Sequence, residues 1–255
     1  MREANLDQLF DFTGKVAIVT GGSRGMGREM CLALAARGAD IMIVSRKIDA
    51  CEAVAAEVRA LGRRAVAYAC NVSHWDACDA LVDAAYEAFG KVDILINNAG
   101  MSPLYDKLSD VTEALFDKVI GLNLRGPFRL MSLDGERMQA SVGVAIVKVS
   151  STGAVQKTPH AEPYGAAKAG LNKLTLSFAW AFGPDVRVNC IMPGPFLTDI
   201  SKAWDMDAFN ASAKSEFALQ RGGEPNEIVS AVLYFASDAS SYTTGAVLRV
   251  DGGSR

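Results

Sequence analysis

The sequence predicts an α/β fold: a doubly wound parallel sheet with helices on both faces. Three observations predict it. Short apolar, β-branched runs alternate with amphipathic helical stretches almost from end to end. Glycines close one helical stretch after another. The segments rich in Gly, Asn, Ser and Pro fall just after the strands, at the end of the sheet where such folds bind ligands. With 255 residues, half of them hydrophobic and 22% charged, the chain suffices for one large domain with a sizeable core. No linker, low-complexity segment or solenoid repeat divides it. One domain is expected over 13–255, after an extension at 1–12 and with a substrate loop at about 194–218.

The elements follow in order. Lys15–Thr20 (KVAIVT) has the pattern of a buried strand, and Met26, Met30, Ala33 and Leu34 then share one helical face that ends at Gly38. Asp40–Ser45 is the second strand, 49–61 a helix closed by Gly62, and 64–70 the third strand. Ser73 with Asp76 resembles a capping box for a helix ending at Gly90. Val92–Ile96 is strand four. A long helix is expected from about Thr112 to Met138, bent at Gly126-Pro127. Val144–Val149 is strand five, 164–182 a helix stopped by Gly183-Pro184, and 186–192 strand six. The loop at 194–218 has short helices, Pro225 opens a helix to Ala236, and 246–250 is the last strand.

Composition excludes several classes of function. A net charge of −3 without a basic stripe gives no nucleic-acid footprint. The acidic segment Met1–Asp7 does not read as a signal peptide, and no stretch reaches the ~18 apolar residues of a membrane span. A cytoplasmic protein is expected. Cys31, Cys51, Cys70, Cys78 and Cys190 are odd in number, with no C-x-x-C, and read as reduced thiols. His74 and His160 lie far apart, and no metal site is expected.

The chemistry sits in a few motifs. Thr20-Gly21-x-x-x-Gly25-x-Gly27 follows a strand and opens a helix. Its glycines allow a tight turn and a close approach to a pyrophosphate, and the helix N-terminus favours negative charge. A carboxylate at the end of strand two would bind an adenosine ribose and disfavour a 2′-phosphate. Here Ser45-Arg46-Lys47 stands there, and Arg24 lies inside the glycine loop. Two guanidiniums can clamp a phosphate, so NADP(H) is favoured over NAD(H). The alternative is that Arg46 and Lys47 only solvate a helix start. Tyr164-x-x-x-Lys168 places two side chains on one helical face, where an ammonium would lower the phenol's pKa and fit Tyr164 for proton transfer at a carbonyl oxygen. Ser151 could donate to the same oxygen, or merely cap a turn. Asn123 could hold a water or a bent backbone near Lys168, or simply satisfy a kink.

As a set, TGGSRGMG (20–27), NNAG (97–100), Asn123 in GLNLRG, Ser150-Ser151, YGAAK (164–168), PGPFLT (193–198) and VDGG (250–253) resemble the short-chain dehydrogenase/reductase family, over about residues 12–253. The likeness extends to 3-oxoacyl-acyl-carrier-protein reductase-like members. The resemblance implies a Rossmann-type seven-stranded sheet, a tetrad of Asn123, Ser151, Tyr164 and Lys168, and frequently a homotetramer. It also implies a cofactor held by Gly21, Ser23, Arg24, Gly25 and Met26, by Ser45 and Arg46, and by Asn71 and Val72 beside the adenine. Asn98, Ala99 and Gly100 would follow, then Tyr164 and Lys168, and Pro193, Gly194, Phe196 and Thr198 around the nicotinamide. Asn71-Val72 stands where the family usually has Asp-Val, and the 139–143 connection is short.

These readings favour an NADP(H)-dependent enzyme interconverting a ketone and a secondary alcohol. Met101, Pro103, Leu104, Ala154, Val155, Phe196, Trp204 and Phe209 would form an apolar pocket suited to a hydrophobic ketone or 3-oxoacyl chain, with Trp204 and Phe209 on a lid. An NAD-dependent sugar, polyol or steroid alcohol dehydrogenase is the alternative. A dinucleotide-binding regulatory protein without catalysis and an epimerase or dehydratase are further ones. Arg125, Arg129 and Arg137 could receive an acyl carrier protein, or form a solvated or oligomer-facing stripe.

Overall fold

The computed structural model describes residues 6–140, 144–199, 201 and 204–255. Part of the 139–143 connection, and positions 200, 202 and 203 of the expected substrate loop, lie outside the described residues. Seven parallel strands form one sheet: β1 (Val16–Thr20), β2 (Asp40–Ser45), β3 (Ala65–Ala69), β4 (Ile94–Asn97), β5 (Ala145–Val149), β6 (Arg187–Pro193) and β7 (Val247–Val250). Their order is β3-β2-β1-β4-β5-β6-β7. The chain works outward from β1 in one direction and from β4 in the other, so the switch point lies between those two strands.

Helices cover both faces, and the strands alternate between two cores. Ala17 and Val19 of β1 face α2 (Gly25–Ala36), α3 (Ile48–Ala60) and α9 (Val229–Ala236), among Met30, Leu34, Val54 and Phe235. Ile18, between them, faces α4 (Trp75–Phe89), α6 (Gly126–Ala140) and α7 (Glu162–Phe182), among Leu81, Leu130 and Leu171. Burial on both faces is why these strands read as unbroken apolar runs. Each such side chain contributes roughly 1.5–3 kcal/mol. The short helix α1 (Leu6–Leu9) precedes β1. Phe12, the last residue of the expected extension, is itself buried in the first core, and its N–H bonds the Arg37 carbonyl at 2.9 Å.

One local expectation is corrected. The helix expected from Ser73 begins at Trp75 with His74 at its cap. Ser73 turns back instead, donating its hydroxyl to Asn71 Oδ1 at 2.9 Å. The expected long helix runs from α5 (Glu113–Ile120) through a π-turn at Gly121–Arg125 directly into α6, so its irregularity falls just before Gly126-Pro127. Pro127 has no N–H for a regular helical bond, and Gly126 donates five residues back to Gly121. Packing requires glycine at 126, because a Cβ there would lie 1.9 Å from the Val72 carbonyl oxygen.

Candidate active site

The site lies over the carboxyl ends of β1, β4 and β5. Thr20 ends β1, and its hydroxyl accepts the N–H groups of Asn98 and Ala99 at 3.0 and 3.1 Å. Asn98 returns its side-chain amide to the Thr20 carbonyl at 2.9 Å and the Gly21 carbonyl at 3.3 Å. The glycine loop and the segment after β4 are thus laced together. Thr20, the first residue of the glycine motif, is the side chain that ties the two segments together. Asn98, expected to hold a cofactor, has its amide committed to the loop.

Gly21 and Gly25 adopt φ of +66° and +52°, a region that favours glycine. A Cβ on Gly27 would meet the Gly21 carbonyl oxygen at 2.1 Å, so the helix start can pack there only as glycine. At Gly25 the loop is open: an added Cβ would meet only Thr198, at 3.5 Å. No side chain caps the first turn of α2, which leaves its free N–H groups to an anion. An open glycine turn and an uncapped helix start fit the pyrophosphate of a dinucleotide. Ser23 and Met26 lie in the same turn, Ser45 and the exposed Arg46 end β2, and Ser45 Oγ lies 3.0 Å from the Cys51 sulfur.

The expected tetrad converges. Ser151 follows β5 and accepts the Gly153 N–H at 3.1 Å. A Cβ on Gly153 would lie 3.5 Å from Ser151 Oγ and 3.7 Å from the Tyr164 ring, which places both side chains beside this glycine, while Thr158 Cγ2 at 2.8 Å leaves no room for that Cβ. Lys168 is buried one turn beyond Tyr164. Its Nζ lies 5.6 Å from the Tyr164 ring centroid and donates to the Val149 carbonyl at 2.8 Å. Ser150 Oγ donates to the Lys168 carbonyl at 3.2 Å. Asn123, in the π-turn, donates to the carbonyls of Val119 at 3.0 Å and Met101 at 2.9 Å. It therefore satisfies the kink and also reaches the site: a Cβ on Gly100 would lie 2.9 Å from Asn123 Oδ1 and 3.5 Å from Lys168 Nζ.

The expected electrostatics of Tyr164 need correction. Burial pushes its phenol upward, against the pull of the Ser151 hydrogen bond. The same burial pushes the Lys168 amine down to about 8. Desolvation disfavours the charged form of both groups, so a protonated Tyr164 is the favoured state near neutral pH.

Other expected contacts separate. Phe196 turns its side chain into the core beside α2 and α9, with Gly223 close against its ring. Val72 is likewise a core side chain, and Asn71 Oδ1 serves the turn into α4. Pro193 ends β6, Gly194 bonds the Val250 carbonyl at 3.0 Å, and Thr198 meets the glycine loop. Met101, Pro103 and Ala154 are half-buried, while Leu104 and Val155 are 65% and 62% exposed. The Trp204 ring lies 5.2 Å from that of Phe209 in α8 (Met206–Glu216), tilted by 39°. Arg129 and Arg137 pair with Asp79 and Asp83 of α4, and Arg125 bonds the Ser73 carbonyl. These pairs neutralise much of the basic stripe considered for an acyl carrier protein. Among the described residues, no group of three or more His, Cys, Asp or Glu side chains gathers to hold a metal.

A family model described as Enoyl-(Acyl carrier protein) reductase matches residues 21–255. An L-rhamnose 1-dehydrogenase (NAD(P)(+)) of Azotobacter vinelandii is 38% identical over 247 residues, 94% of this chain and 96% of that protein. The chain belongs to the short-chain dehydrogenase/reductase family. Two solved members superpose over nearly the whole chain. A 7 alpha-hydroxysteroid dehydrogenase in complex with NADH and 7-oxo glycochenodeoxycholic acid gives a TM-score of 0.93 at 33% identity, covering 98% of this chain and 97% of that one. An NADPH-dependent 3-quinuclidinone reductase from Rhodotorula rubra gives 0.93 at 28%, covering 99% and 96%. The short-chain dehydrogenase/reductase described here is an oxidoreductase with the seven-stranded, single-domain fold expected from its sequence.

Proposed function

We propose that this short-chain dehydrogenase/reductase interconverts a ketone and a secondary alcohol by hydride transfer, with Tyr164 as the acid/base and NADP(H) as the preferred cofactor. The observation that carries the reading is the convergence of Ser151, Tyr164, Lys168 and Asn123 about Gly100 and Gly153. A bound nicotinamide supplies or accepts the hydride. Tyr164, protonated near neutral pH, donates to the developing alkoxide. Ser151 donates a hydrogen bond to the same oxygen. Lys168, anchored on the Val149 carbonyl, supplies positive charge beside the phenol, and Asn123 holds the backbone at Met101.

Arg24 and Arg46, with no acidic residue at the end of β2, support NADP(H). Exposed Leu104 and Val155, on the segments after β4 and β5, support a hydrophobic ketone or acyl chain. A second reading, an NAD-dependent sugar, polyol or steroid dehydrogenase, draws on the relatives named for rhamnose and a hydroxysteroid. Five buried, unpaired cysteines fit a reducing cytoplasm. Leu176 and Trp180 of α7 are 48% and 83% exposed, and the edge strand β7 exposes Val247 and Leu248. Together these apolar faces support a homotetramer.

Titration with NADPH and NADH, followed by nicotinamide fluorescence, tests the cofactor reading. NADPH should bind more tightly, and Arg46→Asp should remove that preference. An unaltered preference in Arg46→Asp would reassign the cofactor.

A further inference from the structure

Arg24 does not hang free over the glycine loop. Its Nη1 lies 3.1 Å from Oδ2 of Asp199, which follows Thr198 in the segment beyond β6. The neighbouring residues meet as well, since a Cβ on Gly25 would contact Thr198 at 3.5 Å. In the sheet, β4 and β5 stand between β1 and β6, so these strands are about 14 Å apart at roughly 4.8 Å per step. The Arg24–Asp199 pair therefore spans the crest of the sheet, above the strand ends that carry Asn98, Gly100 and Ser151. This is the crevice in which open α/β sheets bind their ligands.

We propose that Asp199 is a specificity-determining residue, whose carboxylate competes with the cofactor's 2′-phosphate for Arg24. The inference rests on the reading of Arg24 as a 2′-phosphate ligand. The two partners are alternatives of one chemical kind, each offering anionic oxygens to the same guanidinium. The side chains are 66% and 36% exposed, so Arg24 can turn from one partner to the other without losing buried packing. A phosphate that takes Arg24 detaches it from the segment beyond β6. A cofactor with a bare ribose leaves the pair closed. Asp199 thus lowers the discrimination that Arg24 and Arg46 would otherwise give.

The test is a double-mutant cycle read by fluorescence titration with NADPH and NADH: wild type, Asp199→Asn, Arg24→Met and the double variant. The readout is the NADPH-over-NADH affinity ratio, in which repulsion of the pyrophosphate common to both cofactors cancels. An exposed pair holds weakly, so Asp199→Asn should raise the ratio about threefold to fivefold. In the Arg24→Met background the same change should leave it fixed. An unchanged ratio overturns the proposal. So does an equal rise in both backgrounds, which would mean direct repulsion by Asp199, or a failure of both the wild type and Asp199→Asn to bind NADPH. The wild-type ratio separately tests the cofactor reading: an enzyme favouring NADH contradicts that reading, while a rise in the ratio on Asp199→Asn still supports the competition.

Discussion

At the level of single residues, two glycines mark the crowding around the site. Ser151 and Tyr164 gather beside Gly153, where a Cβ would strike Thr158 at 2.8 Å, and Asn123 and Lys168 gather beside Gly100, where a Cβ would strike Asn123 Oδ1 at 2.9 Å. Ser151→Ala should lower kcat about 10²- to 10³-fold, the magnitude of losing one oxyanion donor, and leave NADPH affinity unchanged by fluorescence titration. That Tyr164, Lys168 and Ser151 lie together was legible in the sequence, because their spacing is local and their residue types match one chemistry. Phe196 was not, because a bare PGPFLT string does not say which way a ring faces, and Gly223, which receives it, lies 27 positions along. The Arg24–Asp199 pair was hidden for the same reason, being separated by 175 positions. Thr20 was in view inside its motif, but its role appears only when β4 is seen beside β1.

At the scale of elements, the sequence announced every strand and most helix ends, since an apolar run followed by glycine reads without tertiary information. The π-turn at Gly121–Arg125 did not read, because one wider hydrogen-bonded turn barely disturbs the apolar period, and the Val72 carbonyl that packs on Gly126 comes from another segment. That turn brings Asn123 to Met101 and Lys168. Gly126→Ala would drive a Cβ into that carbonyl at 1.9 Å, and overpacking of this kind destabilises by about 1–3 kcal/mol. Thermal unfolding should show a clear drop in Tm. An unaltered Tm would mean that α6 shifts freely and that the turn is not fixed by this contact.

At the scale of the whole molecule, burial of amines ties stability to pH. Lys148 lies in β5 with no exposed surface, donates to the Leu171 carbonyl at 3.1 Å, and is pushed by burial down to about 7. In the unfolded chain a lysine titrates near ~10.4. Between these values the unfolded state binds more protons, so this group adds stability as pH rises from about 7 toward 10 and withdraws it as pH falls. Lys148→Met should therefore raise Tm most at pH 7 and below, with the gain over wild type shrinking toward pH 10. A pH-independent difference would show that Lys148 does not titrate with folding.

Proton transfer by Tyr164 in a nicotinamide-dependent carbonyl reduction is read out by steady-state turnover. NADPH consumption by wild type and Tyr164→Phe would be measured against a panel of hydrophobic ketones at neutral pH. The wild type should turn over at least one ketone, and the variant should lose about 10²- to 10⁴-fold with unchanged NADPH binding. A Tyr164→Phe enzyme that retains full turnover would contradict this role of Tyr164.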